Sequence, residues 1–210
     1  MTKTRNIISI MMACILFLYP INSYAASGTC RCYWSNKNLA AGYINNINST
    51  LNGYGYSSSV SMIPSKATMK SFIGSSNKVL YVQTHGRSGG GAIECSNDEF
   101  LYTTELTSGK LSMVYLSACQ SAKYSSTYGS FAYKLNLLGI PRVVGFTKDI
   151  SASTSTNGIH FFNYWYFLYL ADGHTLNDAG ALAKQKLYAA YGGYFGADSI
   201  MIYGTNYCLE

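Results

Sequence analysis

Short apolar runs alternate with amphipathic segments along most of this chain. Lys78–Thr84, Lys110–Ser117 and Pro141–Phe146 are apolar at almost every position, which is typical of strands buried on both faces of a parallel sheet. In Lys37–Leu51 and Leu176–Tyr191 the apolar residues recur at helical spacing instead. Strands therefore alternate with helices. This order predicts an α/β fold, a three-layer αβα sandwich around a mostly parallel sheet.

Weaker patterns predict the other elements. Alternation of apolar and polar residues predicts strands at Thr29–Ser35 and Ser57–Ile63, and a last strand is predicted at Ser199–Tyr203. Further helices are predicted at Ala67–Ile73, Thr127–Leu138 and Ala152–Leu170, and a small hairpin at Ala92–Tyr102. The glycine-rich stretch 86–91 predicts a mobile loop directly after one of the buried strands.

An aromatic run at Ile159–Leu170 is apolar on every side of its predicted helix. A helix buried between the sheet and a neighbouring helix explains this pattern. The alternative is a helix with a second face in an oligomer contact. A membrane span is not expected, because the run is short and contains His160 and Asn163.

The amino terminus has the organisation of a secretory signal. Lys3 and Arg5 precede the apolar segment Ile7–Tyr19, and Ser23-Tyr24-Ala25 offers small residues to a signal peptidase. A membrane anchor is disfavoured, since the segment is shorter than the ~20 residues that a span needs. We therefore expect a signal peptide over residues 1–25 and a single secreted domain over residues 26–210, with no membrane span after cleavage.

Charge and motif content narrow the function classes. The chain has 15 basic and 9 acidic side chains and a formal net charge of +6, but the basic residues form no run or stripe. Nucleic-acid binding is therefore not expected. The glycine-rich stretch lacks the Lys-Ser/Thr ending of a phosphate-binding loop, and no metal-ligand cluster is evident. We expect no cofactor and no metal, and the sequence does not predict an oligomeric state.

Five cysteines follow the signal, an odd number that leaves one thiol unpaired in an oxidising compartment. Cys119 is the candidate for that free thiol. Cys30 and Cys32 are too close to bridge each other, so each is expected to pair with Cys95 or Cys208. The sequence leaves the pairing open, along with reduced thiols or a redox Cys-x-Cys motif.

His85 and Cys119 each follow a buried strand. The carboxyl ends of neighbouring parallel strands line one crevice, where open α/β folds place their chemistry. A thiol of unperturbed pKa near ~8.5 is mostly protonated at neutral pH, and a nearby imidazole can accept its proton. Gly86, directly after the histidine, lets backbone N–H groups approach a developing oxyanion. The two strand ends thus predict a cysteine nucleophile, a histidine acid/base and oxyanion donors.

Thr84-His85-Gly86 and Leu116-Ser117-Ala118-Cys119 resemble the paired motifs of caspase-like cysteine peptidases. The pattern is most similar to the CHAT peptidase domain, in which a strand ending in His-Gly precedes one ending in Ser-Ala-Cys. The resemblance covers nearly all of the chain after the signal, in order: Phe131–Phe146, Phe161–Gly173, Thr175–Leu187 and Ile200–Gly204.

The resemblance implies a secreted cysteine endopeptidase that cleaves peptide bonds through a thioester. Cys119 would be the nucleophile, His85 the general acid/base, and the Gly86 and Cys119 amides the oxyanion hole. His160 and His174 are poorer candidates for the base, because they belong to helical segments. Two other functions stay open: a non-catalytic secreted binding or effector module on the same fold, and an acyl-transfer enzyme of the ligase type that uses the same dyad.

The resemblance also places substrate-binding residues around the nucleophile. In several caspase-like peptidases the residue two before the cysteine lines the P1 pocket, and here it is Ser117, which carries no charge. Asp149, after the strand Pro141–Phe146, could supply a carboxylate for a basic P1 side chain. It could equally cap the following helix. Asp98, on the predicted hairpin, is a weaker candidate. The expected partner is a protein or peptide substrate, with its P1 residue left open.

Overall fold

The computed structural model describes residues 27–35, 43–151 and 158–209, and within them eight strands and five α-helices. The strands are β1 (Thr29–Trp34), β2 (Ser57–Met62), β3 (Val79–Gln83), β4 (Ala92–Glu94), β5 (Phe100–Tyr102), β6 (Met113–Ser117), β7 (Arg142–Phe146) and β8 (Ile200–Gly204). The helices are α1 (Ile44–Gly53), α2 (Lys66–Ile73), α3 (Phe131–Leu137), α4 (Gly158–Ala171) and α5 (Leu176–Tyr191).

Six of these strands form one sheet in the order β2-β1-β3-β6-β7-β8. Its strands pair in parallel from β2 to β7, and β8 runs antiparallel to β7 at one edge. The predicted mostly parallel sheet is therefore confirmed. β4 and β5 form the predicted hairpin as a separate antiparallel pair.

Both faces of the sheet are covered, as the continuously apolar strands predict. On the front face, α1, α4 and α5 pack over Val79, Tyr81, Met113 and Tyr115. On the back face, α2, α3 and the β4–β5 hairpin pack over the alternate residues of the same strands. The α-β-α layering follows from this alternation, and the aromatic helix α4 is the buried helix that the run predicts. No helix in the described ranges is long and apolar enough to cross a membrane.

The helix ends agree with the sequence where a capping signal exists. Thr175 accepts a hydrogen bond from the Asp178 N–H at the start of α5, and Ser65 does the same for Thr68 in α2. The helix predicted from Thr127 begins only at Phe131, because residues 125–129 close a tight turn with two backbone hydrogen bonds. The predicted first parts of α1 and α4 and the proposed signal fall on residues that lie outside the described ranges.

The expected disulfides are not formed, since Cys30, Cys32, Cys95, Cys119 and Cys208 are all free thiols. Cys30 and Cys32 lie in the front core and Cys95 in the back core, so the sheet separates Cys95 from both of its proposed partners. Burial raises the pKa of these three thiols to about 12. They therefore act as small apolar core residues rather than as reactive thiols.

The buried His160 makes stability depend on pH. It is 1% exposed, neither ring nitrogen has a hydrogen-bond partner among the described residues, and burial lowers its pKa from 6.5 to about 4. Below pH ~6.5 His160 becomes protonated in the unfolded chain but stays neutral in the folded chain. The free energy of unfolding therefore falls as the pH drops from ~6.5 towards 4, by about 3 kcal/mol in total. The His160→Phe variant should lack this decrease. The measurement is the free energy of unfolding by urea titration at several pH values between 7 and 4. The matched change at half-exposed His174 should keep the decrease, and equal slopes in wild type and His160→Phe would refute the assignment.

Candidate active site

The register between β3 and β6 brings the histidine and the cysteine to the same place. Val79 lies opposite Met113 and Gln83 opposite Ser117. The same offset, continued past the strand ends, places His85 beside Cys119. A hydrogen bond of 3.2 Å from the Thr84 N–H to the Ser117 carbonyl carries the pairing one residue further. Both residues are half-buried at the carboxyl edge of the sheet, where the sequence predicts the site.

Gly86 lies directly against the backbone of Cys119. A Cβ atom at residue 86 would stand 1.6 Å from the Cys119 carbonyl oxygen and 2.7 Å from its carbonyl carbon, so no larger residue fits. Gly86 is bridged to Ile93, and the hydrogen bonds on either side join Arg87 N–H to Ala92 O and Glu94 N–H to His85 O. In such a ladder the N–H of the intervening residue points away from the partner strand. The Gly86 amide thus faces away from β4.

The glycine-rich stretch, expected to be a mobile loop, is a hydrogen-bonded turn that continues the β4 pairing. Gly89, Gly90 and Gly91 all have φ between 79° and 88°, a backbone conformation that favours glycine. The Arg87 guanidinium stacks on the rings of Tyr102 and Tyr128, 5.8 and 4.9 Å from their centroids. Cation–π contact and ladder pairing together hold this turn beside His85.

The Cys119 thiol contacts the loop after β7. Its sulfur accepts a hydrogen bond of 3.4 Å from the Ile150 N–H and donates one of 3.6 Å to the Ile150 carbonyl. Burial and the nearby Asp149 charge raise the pKa of the thiol, while the Ile150 N–H lowers it. Because burial dominates, the resting group is a neutral thiol, which needs a base to become a nucleophile.

Asp149 is an exposed carboxylate at the edge of the same site. Its Oδ1 accepts a hydrogen bond of 2.7 Å from Gln120 Nε2, and Gln120 directly follows Cys119 in the sequence. The structure therefore brings Asp149 close to Cys119. Asp98 lies instead in the exposed connection of the β4–β5 hairpin.

The 147–151 loop that carries Asp149 is supported from behind by the residues before β8. Ser199 O accepts a hydrogen bond from the Thr147 N–H, and Phe195 O accepts one from the Ser151 N–H, both of 3.0 Å. Gly196, with a φ of 88°, lies so close that an added Cβ would be 2.5 Å from the Asp149 carbonyl oxygen. Backbone contacts with residues 195–199 therefore fix the position of the 147–151 loop.

Ser117 lies beneath the site rather than on its surface, because it is only 2% exposed. Its Oγ accepts a hydrogen bond of 2.7 Å from Asn163 Nδ2 of α4, and Asn163 also donates to the Tyr81 hydroxyl and accepts from the Tyr115 hydroxyl. This buried polar cluster connects the last residue of β6 to α4. Any contribution of Ser117 to a substrate pocket stays a prediction.

Asn163 should therefore matter for stability. Asn163→Leu keeps the side-chain size but leaves the hydroxyls of Tyr81, Tyr115 and Ser117 short of partners in the core. Net hydrogen bonds of ~1 kcal/mol each predict a loss of about 3 kcal/mol, measured as a lower midpoint of unfolding in guanidinium chloride. Adding Tyr115→Phe should restore about 1 kcal/mol by removing one unpaired hydroxyl. If Asn163→Leu lowers the free energy of unfolding by less than about 0.5 kcal/mol, half of one net hydrogen bond, the role of this cluster is contradicted.

Gln120, Ile150, Gly196 and Asn163 are absent from the sequence-derived site. Of these four, only Asn163 stands out in the sequence, because it is a lone amide in an aromatic run. The other three act through contacts between distant segments, which residue patterns do not report.

Known structures were compared with this fold. Gingipain R, described as an Arg-specific cysteine proteinase, superposes with a TM-score of 0.68 at 14% identity, over 87% of this chain and 47% of that one. The chain has the caspase-like fold. The gingipain R of Porphyromonas gingivalis, in a complex of pro- and mature domains, gives 0.66 at 14% identity over 87% and 48%.

The separase–securin complex of Saccharomyces cerevisiae matches with a TM-score of 0.54 and 16% identity, over 93% of this chain and 13% of that chain. This chain thus spans less than half the length of each of these caspase-like structures. No family model and no curated protein sequence matches it. The predicted fold is confirmed, whereas the similarity to the CHAT domain stays a prediction.

Proposed function

We propose that the chain is a secreted cysteine endopeptidase, with residues 1–25 as its signal and residues 26–210 as its peptidase domain. One observation carries the proposal: the β3–β6 register sets His85 beside Cys119, with Gly86 packed on the Cys119 backbone. The proposal is supported by the similar structures, because known proteins with the same caspase-like fold include cysteine peptidases.

The chemistry follows from the state of the thiol. Because the pKa of Cys119 is raised, His85 takes the thiol proton as the sulfur attacks the carbonyl carbon of the scissile bond. The Gly86 and Cys119 N–H groups stabilise the oxyanion. When the tetrahedral intermediate collapses, the C–N bond breaks, the leaving amine takes the proton from His85, and a thioester remains. Water, deprotonated by His85, then attacks the thioester and releases the acid and the thiol.

We further propose that Asp149 selects a basic P1 side chain. The carboxylate is exposed, belongs to the loop that contacts the nucleophile, and has one oxygen held by Gln120. A lysine or arginine side chain entering beside Cys119 would meet this charge. Ser117, two residues before the proposed nucleophile and only 2% exposed, would lie directly beneath the same pocket and add no charge to it.

The test is a panel of peptide acyloxymethyl ketones that differ only at P1, with Arg, Lys, Asn, Asp and Leu. We expect Cys119 to be alkylated about tenfold faster by the Arg and Lys probes, and Asp149→Asn to remove this preference. Peptide mapping by mass spectrometry locates the adduct. Asp98→Asn is the matched control and should leave the preference unchanged.

Failure of every probe to label Cys119 would refute peptidase function and favour a non-catalytic binding or effector module. Labelling without P1 preference would refute only the role of Asp149. Adding an acceptor peptide to a cleavage reaction separates hydrolysis from acyl transfer, because ligation gives a product of different mass.

A further inference from the structure

The side chain of Gln120 joins two loops that meet at the nucleophile. Its Oε1 accepts a hydrogen bond of 2.8 Å from the Gly89 N–H, in the glycine-rich turn after His85. Its Nε2 donates the 2.7 Å hydrogen bond to Asp149 Oδ1, in the loop after β7. These two loops carry Gly86 on one side of Cys119 and Ile150 on the other, so one side chain spans the site.

The backbone of Gln120 holds the side chain in this position. Its φ is 54°, in the left-handed region that residues other than glycine adopt at a cost of ~1 kcal/mol or more. Its N–H donates a 3.0 Å hydrogen bond to the Lys148 carbonyl, one residue before Asp149. Residue 120 is therefore attached to the Asp149 loop through both its backbone and its side chain.

Only a primary amide of this length suits both partners. The Gly89 N–H needs an acceptor and the Asp149 carboxylate needs a donor, and an amide supplies one of each. Glutamate would present a second carboxylate oxygen to Asp149, lysine would offer nothing to Gly89, and asparagine is one methylene shorter. The chemistry of the two partners thus selects glutamine.

We propose that Gln120 is a positioning residue that couples the glycine-rich turn to the Asp149 loop and so sets the surroundings of the Cys119 thiol. The inference deepens the proposed function, since it concerns the same nucleophile. It predicts that the effect of a change at residue 120 depends on which group residue 149 presents.

The experiment is a double-mutant cycle read by alkylation of Cys119. Wild type, Gln120→Glu, Asp149→Asn and the double variant react with iodoacetamide at pH 8, and peptide mass spectrometry follows the adduct at Cys119. At this pH the Gln120→Glu variant carries an ionised carboxylate at residue 120, which repels the ionised carboxylate of Asp149. We expect at least fivefold slower alkylation, because the Asp149 loop moves and the thiol loses the Ile150 N–H that stabilises its thiolate.

The double variant should restore the pairing with reversed polarity. Glutamate at 120 still accepts from Gly89, and the asparagine amide at 149 now donates to it. In the Asp149→Asn background the Gln120→Glu change should therefore alter the rate less than twofold, a coupling between the two positions. Gln185→Glu, the same change on the exposed side of α5, serves as control. Thermal melts check that all variants fold.

Two outcomes overturn the proposal. One is a Gln120→Glu rate that rises or stays within twofold of the Gln185→Glu control. The other is the same fivefold loss in both backgrounds, which would show that residues 120 and 149 act independently. Iodoacetamide needs only the thiol and not peptide recognition. Inert peptide probes with an intact cycle would thus refute the proposed peptidase and leave the role of Gln120 standing.

Discussion

Cys119→Ala should reduce the proposed peptide cleavage to background, a loss of roughly 10⁴-fold or more, because it removes the proposed nucleophile. The other thiols in the described ranges do not replace it. Cys30, Cys32 and Cys95 are buried with raised pKa values, and Cys208 lies in the segment after β8. The rate constant on a peptide substrate that the wild-type protein cleaves is the measurement.

The fold should tolerate this substitution. Cys119 is half-buried and its thiol contacts only the Ile150 backbone among the hydrogen bonds described above, so the melting temperature should change little. Cys208→Ala is the matched control, since it removes another half-buried thiol outside the site and should retain full activity. Normal cleavage by Cys119→Ala would reject Cys119 as the nucleophile, and equal losses in both variants would indicate a general thiol effect.

The strands of the site could be predicted from the sequence because they are buried on both faces. β3, β6 and β7 have unbroken apolar runs, and their observed ends lie within a few residues of the predicted ones. The position of His85 and Cys119 at the carboxyl edge follows from the parallel direction of those strands. Their alignment side by side does not, because strands that are buried at every position lack the alternation that would specify a register.

The wrong expectations share one physical cause, which is that they concern relations across the sheet or between loops. An odd number of cysteines says nothing about which face each one occupies, and the sheet separates Cys95 from Cys30 and Cys32. Glycine content predicted a mobile loop after His85 and gave no sign that residues 85–87 pair with β4. The residues of a short segment indicate how flexible its backbone is, but they do not show which distant segment it pairs with.

The same limit explains why Gln120 was missed. Its proposed role depends on hydrogen bonds to Gly89 and Asp149, which are 31 and 29 residues away along the chain. Asp149 could be proposed from the sequence because it carries a carboxylate directly after a buried strand, and its role stays a prediction. Residues that catalyse tend to be chemically distinctive, whereas residues that position them are ordinary side chains in particular places.

Gly86→Ala should abolish the proposed peptidase activity almost as completely as Cys119→Ala. The added Cβ would lie 1.6 Å from the Cys119 carbonyl oxygen, 2.7 Å from the carbonyl carbon and 3.2 Å from the Cys119 nitrogen. All three are backbone atoms, so no side-chain rotation relieves the clash. Either the His85-Gly86 segment or the turn that carries Cys119 must shift by more than the tolerance of the chemistry.

Two effects then combine. A displacement of ~1 Å between reacting groups can cost ~10²-fold, and the loss of one oxyanion donor costs ~10²- to 10³-fold. We therefore expect kcat/KM to fall by about 10³-fold or more, with an overpacking cost to stability of ~1–3 kcal/mol seen as a lower melting temperature. The protein should remain folded, because the clash lies at the edge of the sheet and not within its core.

Gly53→Ala provides the matched control for this change. Gly53 is the last residue of α1, and a Cβ there would have no atom within 4 Å, so activity should stay within twofold of wild type. A folded Gly86→Ala protein with at least a third of wild-type activity would show that the close approach to Cys119 is dispensable. That result would remove Gly86 from the proposed oxyanion hole while leaving the proposed dyad of His85 and Cys119 untouched, because their alignment rests on the β3–β6 register.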